Sequence, residues 1–167
     1  MKLLDALKIA EAYKEIISPF CHRIEIAGSI RRRKPEVKDI ELVAIPKIER
    51  LMDMRDVFRK WTHIKGQVTG KYMAYKLPEG INLDFFMCSK ETWGCNFLIR
   101  TGSADFSHAL VSRVPRFKFR EARLWCGDNL LETPEEKDVF GFLGLQWIEP
   151  PHRIDGNSIG FVSGAKP

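Results

Sequence analysis

The sequence predicts an α+β fold, with helices on a mixed or antiparallel sheet in its first part and a smaller α+β part after it. Three observations carry that prediction. Residues 3–17 repeat apolar side chains at three- and four-residue steps, residues 39–45 and 81–87 are apolar strand-like runs, and helical spacing returns after residue 88, where the composition shifts. The chain has 167 residues, 27 basic and 22 acidic, for a net charge of +5. That length suits one domain or two closely packed subdomains. With 44% apolar and 29% charged residues the chain has the composition of a folded globular protein, which argues against extended disorder. No window approaches the ~18 apolar residues of a membrane span. Lys2, Asp5, Lys8 and Glu11 interrupt the first apolar pattern, so a secretion signal is not expected there. Cys21, Cys88, Cys95 and Cys126 form no CxxC pair and lack histidines at zinc-finger spacing, as expected for reduced thiols in a cytoplasmic-type compartment.

The elements follow in order. Leu3, Leu4, Leu7, Ala10, Tyr13 and Ile17 form the stripe of an amphipathic helix that Pro19 ends. Residues 23–27 alternate through Ile24 and Ile26 as a short strand, and a basic turn follows at Arg31 to Lys34. Residues 39–45 form a second strand, stopped by Pro46, and helical spacing returns over 48–61 through Leu51, Met54, Val57 and Phe58. Strands are expected at 64–68, 72–77 and 81–87, and helices at 93–100 and 103–114, split by Thr101-Gly102. Short strands surround Cys126-Gly127-Asp128-Asn129. Thr133-Pro134-Glu135-Glu136 reads as a helix start, with Thr133 as N-cap, proline at the first helical position and Glu136 at N3; Gly144 closes that helix. From Asp155 onward Gly, Asn, Ser and Lys predominate, which predicts a loose tail.

Asp39 and Glu41 stand two apart in a strand, so their side chains share one face, with Cα atoms ~7 Å apart. Adjacent carboxylates repel, and covering them with protein is costly unless a cation neutralises them. Hard oxygen donors suit Mg²⁺ or Mn²⁺. An exposed edge strand with a solvated acidic face explains the same pair. Asp84 lies among Leu83, Phe85, Phe86 and Met87, where a carboxylate needs a partner. If its strand adjoins that of Asp39, three carboxylates share one face, a set able to hold two metal ions. Upstream, Gly28-Ser29 offers backbone N–H groups and a hydroxyl to a phosphate, with Arg31, Arg32 and Arg33 behind it; a solvated basic turn is the alternative.

Gly28-Ser29-Ile30-Arg31-Arg32, then Asp39-Ile40-Glu41, then Asp84, resembles the motif order of the nucleotidyltransferase superfamily, and most closely that of the X-family DNA polymerases, the polymerase beta relatives. Arg100-Thr101-Gly102-Ser103 is similar to their Thr-Gly-Ser segment. Thr133 to Phe140 and Gln146 to Arg153 are similar to their C-terminal helix and aromatic-x-Glu-Pro ending. The pattern departs at Glu41, where the family normally has Asp, and at Asn82, Ser107 and Val111. The resemblance implies a catalytic palm over residues 1–88, a nucleotide-contacting, thumb-like subdomain over 89–154 and a flexible tail over 155–167, a reduced form like that of some viral members.

The same resemblance implies the activity. A DNA-directed polymerase would transfer dNMP from a dNTP to a primer 3′-hydroxyl and release pyrophosphate, filling gaps in a gapped or nicked primer–template, as a monomer and away from membranes. Asp39, Glu41 and Asp84 would be the catalytic carboxylates and the ligands of two Mg²⁺ ions, with Mn²⁺ able to substitute. Gly28, Ser29, Arg32, Thr101, Gly102 and Ser103 would bind the nucleotide. Arg113, Arg116, Lys118 and Arg120 supply a basic face for DNA phosphates, because alternation in 116–120 sends Phe117 and Phe119 to the other side. A nucleotidyltransferase with a small-molecule acceptor and a non-catalytic nucleic-acid-binding module are the competing readings.

Overall fold

The computed structural model describes residues 1–67 and 70–164, apart from the side chain of Val111. Val68, expected to end a strand, and residues 165–167 of the expected tail lie outside the described residues. The chain divides into two units, Met1–Ser89 and Lys90–Pro167. Each has its own apolar core. Among the described residues no helix is long and apolar enough to cross a membrane.

In the first unit, helix α1 (Leu3–Ile17) buries Ala6, Ala10, Tyr13 and Ile17, the spacing that keeps one helical face inward. A 3₁₀ turn over Ser18–Phe20 carries Pro19 and leads into β1 (Cys21–Ile26). The short helix α2 (Gly28–Arg31) precedes β2 (Asp39–Pro46), which includes Pro46 rather than stopping before it. The helical pattern at 48–61 divides into a 3₁₀ turn, Ile48–Arg50, and α3 (Leu51–Phe58). Strands β3 (Thr62–Gly66), β4 (Tyr72–Lys76) and β5 (Asn82–Met87) complete a five-stranded sheet of order β1-β2-β5-β4-β3. The sheet is mixed: β2 and β5 run parallel, and the other neighbours are antiparallel. A parallel pair needs a long crossover. Here α3, β3 and β4 supply it.

The core of this unit fixes which face of the sheet is inward. Ile24, Ile40, Leu42, Ala44, Met73, Tyr75, Leu83 and Phe85 join the helix side chains Ala6, Ala10, Ile17, Met54 and Phe58 in one cluster. Alternation sends the intervening residues of β2 and β5, Asp39, Glu41, Asn82 and Asp84, to the opposite face. Each fully buried aliphatic or aromatic side chain contributes ~1.5–3 kcal/mol. Slipping β2 by one residue would therefore cost several such terms and bury the acids instead.

The second unit is built from α4 (Trp93–Thr101), α5 (Ala104–Arg113), a three-stranded antiparallel sheet of β6 (Phe117–Arg120), β7 (Arg123–Cys126) and β8 (Asn129–Leu131), and α6 (Glu136–Leu143). Helix α6 starts later than its sequence suggests. Its N-cap is Glu135, in a reciprocal capping box with Asp138, and not Thr133. Thr133 is used elsewhere: its amide donates to Glu91 O, its carbonyl accepts from Gly94 N, and its hydroxyl accepts from Cys95 N. Gly94 makes that contact possible, because a Cβ there would lie 2.1 Å from the Glu135 carbonyl oxygen. Gly144 ends α6 at φ 65°, as expected of a helix-closing glycine.

The stretch after Asp155 is not loose where it is described. Ile159 is buried in the second core, Phe161 bridges Leu145, and a 3₁₀ turn spans Gly156–Ser158. Gln146 N donates to Gly160 O and Val162 N to Gly144 O, each at 2.9 Å, which ties the segment down alongside these apolar contacts.

Candidate active site

The parallel pairing of β2 with β5 sets Glu41 directly opposite Asp84 and Asp39 opposite Asn82. The three carboxylates therefore occupy one face of two adjacent strands, each half-buried. Their side chains are held in different ways. Glu41 lies against Gly28, where a Cβ would come within 1.6 Å of Glu41 Oε2, and Gly28 has φ +61°. The backbone anchors this approach, since Ala27 N donates to Glu41 O at 2.8 Å. Asp84 Oδ1 accepts a hydrogen bond from the Tyr72 hydroxyl at 3.0 Å. Among the described residues, no group of three or more His, Cys, Asp or Glu side chains is placed to hold a metal ion. Strand register thus gathers the acids on one face, while Gly28 and Tyr72 engage two of the carboxylates individually. The donor set, three carboxylates without sulfur or imidazole, fits a hard divalent cation in chemical type.

The turn beside Glu41 carries a shielded hydroxyl. Ser29 Oγ is shielded from solvent and has no hydrogen-bond partner among the described residues. A hydroxyl left so costs ~1–3 kcal/mol, which a phosphate oxygen accepting from it would recover. Arg32 closes α2, its amide donating to Gly28 O at 3.1 Å. Burial pushes the Arg32 pKa below its usual value, and the neighbouring Glu41 and Asp39 carboxylates oppose that shift. Arg33 follows at φ 58°, a left-handed conformation that turns the chain toward β2.

In the second unit Thr101 is fully buried at the end of α4, and Ser103 is the N-cap of α5, accepting from Phe106 N at 3.1 Å. A Cβ on Gly102 would lie 2.5 Å from Ser107 Oγ and 2.9 Å from Ile99 O. The turn is tied to the chain's later residues: Ser103 N donates to Arg153 O at 3.1 Å, and Ser103 Oγ donates to Ile154 O. Arg153 is itself buried. Its Nη1 bonds Glu136 Oε1 at 2.7 Å and its Nε bonds Ile148 O at 2.9 Å. Its guanidinium carbon lies 5.5 Å from the Phe140 ring centre and 4.9 Å from that of Trp147. On β6, Phe117 is buried and Phe119 half-buried, whereas Lys118 and Arg120 are exposed. Arg116 is exposed, with its guanidinium 4.7 Å from the Phe117 ring centre. Arg113 differs from the other expected phosphate contacts in donating to Ile159 O at 3.1 Å.

Residues 97–154 match the family model of the DNA polymerase beta thumb. The second unit is thus similar to the thumb of the X-family DNA polymerases over about a third of the chain. Over 88 residues it is 30% identical to DNA polymerase IV of Saccharomyces cerevisiae (strain ATCC 204508 / S288c). That stretch is 50% of this chain and 15% of the yeast protein.

Two features of the chain are not visible in its motifs. Arg153 follows a proline-rich turn and reads as a surface cation; only the aromatics at 140 and 147 and the acid at 136 hint at a buried partner set. Tyr72 reads as an ordinary strand aromatic, because its link to Asp84 depends on an antiparallel register that spacing does not specify.

Proposed function

We propose that the chain is a metal-dependent DNA-directed DNA polymerase that adds dNMP to a primer 3′-hydroxyl in gapped or nicked DNA and releases pyrophosphate. The observation that carries this reading is the β2–β5 register, which sets Asp39, Glu41 and Asp84 on one face of the unit that also holds the Ser29 hydroxyl, buried without a hydrogen-bond partner among the described residues. A solvated acidic strand accounts for the acids alone and leaves Ser29 unexplained.

In this reading Asp39, Glu41 and Asp84 would hold the cations. Two bound Mg²⁺ ions, or Mn²⁺ in their place, would supply Lewis-acid activation of the primer hydroxyl and neutralise charge on the leaving pyrophosphate. The chain's own groups do the rest. The Gly28 amide and Ser29 Oγ donate to the triphosphate, and Arg32 pairs with its oxygens. Asp84 accepts the proton lost by the 3′-hydroxyl. Ser103, half-buried and held by the carbonyls of residues 153 and 154, contacts the nucleotide, while the buried Thr101 and Gly102 shape its turn. Arg116, Lys118 and Arg120 bind DNA phosphates, positioning the duplex without reading its sequence.

Primer extension on gapped and open templates with Mg²⁺ tests the proposal. Wild type extends the primer, and Asp39→Asn, which keeps the side chain's shape, abolishes extension with its unfolding midpoint unchanged. Full extension by Asp39→Asn overturns the assignment. AMP transfer to a small acceptor without primer growth would place the chain with the small-molecule nucleotidyltransferases.

A further inference from the structure

Asp84 sits between two strands that present it with opposite neighbours. On the β2 side its direct register partner is Glu41, whose carboxylate rests against Gly28. On the β4 side its direct partner is Ala74, whose small buried side chain leaves the diagonal position open. Tyr72 lies on that diagonal. It pairs with Phe86, two residues beyond Asp84 on the same face, and diagonal neighbours are within reach of aromatic side chains. Its ring stacks on Phe86, centroids 4.9 Å apart at 20°, and Lys65 Nζ lies 5.9 Å from its centre. The ring's position is set by these contacts, and its hydroxyl reaches Asp84 Oδ1 at 3.0 Å.

We propose that Tyr72 is a positioning residue for Asp84: its hydroxyl holds Oδ1 on the β4 side and fixes the plane in which the carboxylate meets a cation. The inference rests on the metal-binding role proposed above for Asp84 and adds a residue to it. An aspartate turns about its Cα–Cβ and Cβ–Cγ bonds, the second of which is broad and poorly restrained. A cation ligand with that freedom loses it on binding. A donor that restrains the carboxylate beforehand removes part of that cost, which is why partners behind metal ligands carry ~10–100-fold of affinity or activity. The ring stack and the Lys65 contact survive removal of the hydroxyl, so Tyr72→Phe isolates the hydrogen bond from packing.

The experiment compares wild type, Tyr72→Phe, Asp84→Asn and the double variant by calorimetric titration with Mn²⁺, by primer-extension kinetics and by thermal unfolding. Tyr72→Phe is expected to weaken Mn²⁺ binding about 10-fold and to lower kcat about 10-fold. KM for the nucleotide and the unfolding midpoint should stay at the wild-type values. In the double variant the hydroxyl's effect on Mn²⁺ binding disappears, because it acts only through the Asp84 carboxylate. Wild-type Mn²⁺ affinity in Tyr72→Phe, alongside lost affinity in Asp84→Asn, overturns the role of Tyr72 and leaves that of Asp84 standing. Additive losses in the double variant overturn it as well. Wild-type Mn²⁺ binding and extension by Asp84→Asn overturn the assignment of Asp84, and the role of Tyr72 with it.

Discussion

Glu41 Oε2 occupies the space that a Cβ on Gly28 would fill, the two lying 1.6 Å apart in that hypothetical side chain. The positive φ of Gly28 disfavours any other residue there, and a Cβ would force the flexible end of the Glu41 side chain to swing aside. The spacing of Gly28-Ser29 and Asp39-x-Glu41 in the sequence thus corresponds to a direct contact.

Gly28→Ala should therefore act on both fold and site. A non-glycine residue in the left-handed region costs ~1–2 kcal/mol, and Glu41 must swing away from its rest. The expected result is a lower urea midpoint together with weakened Mn²⁺ binding. Wild-type values for both would show that the contact constrains neither.

The site was legible as a pattern and not as an arrangement. Alternation of Ile40, Leu42 and Ala44 with Asp39 and Glu41 identifies the inward face of β2, because apolar burial fixes a strand's facing. Adjacency of β2 and β5 cannot be read the same way: Glu41 and Asp84 are joined by a crossover through α3, β3 and β4, and apolar strands pair with many partners equally well. Thr133 illustrates the limit of local signals. Its Thr-Pro-Glu-Glu context satisfies the rules for an N-cap, yet the close approach of Gly94 to Glu135 claims its hydroxyl and backbone for α4. Tertiary contact overrode a correct local preference.

The Glu136–Arg153 pair should be costly to break from one side. The Arg153 side chain is fully buried and that of Glu136 almost so. Removing a single partner from a buried pair leaves an uncompensated charge and costs ~3–5 kcal/mol, whereas replacing both with apolar residues can be nearly neutral. Arg153→Met and Glu136→Leu are each expected to lower the unfolding midpoint sharply, and the double variant to recover much of the loss. A double variant as unstable as the sum of the singles would show that the Arg153 bond to Ile148 O carries the stability instead.

The basic face of β6 makes a separate prediction about salt. Each phosphate contact contributes a slope of about −0.9 to log K against log salt concentration. Lys118→Ala and Arg120→Ala should each weaken binding to duplex DNA, independently of sequence, and each reduce the slope by roughly one. Phe117→Ala, on the buried face, should instead destabilise the fold by ~3–5 kcal/mol. Unchanged salt slopes in both basic variants would remove this face from the DNA contact.

Tyr13 gives the first unit a pH dependence of defined sign. Its ring is buried against Trp61, centroids 5.0 Å apart, and its hydroxyl donates to Glu79 Oε2 at 3.0 Å. Burial raises the Tyr13 pKa to about 12, helped by the hydrogen bond to Glu79 and by that group's negative charge. In the unfolded chain the phenol titrates near ~10. The folded pKa exceeds the unfolded one, so this contribution is fully present below pH ~10 and is lost as the pH rises through about 12. Tyr13→Phe keeps the ring packing and removes both the hydrogen bond and the titration. Wild type should therefore be the more stable at pH 8 and lose that margin by pH 12, measured as the difference in urea midpoint between the two proteins. A difference that is constant across this interval would show that the phenol is not held protonated by its burial and Glu79.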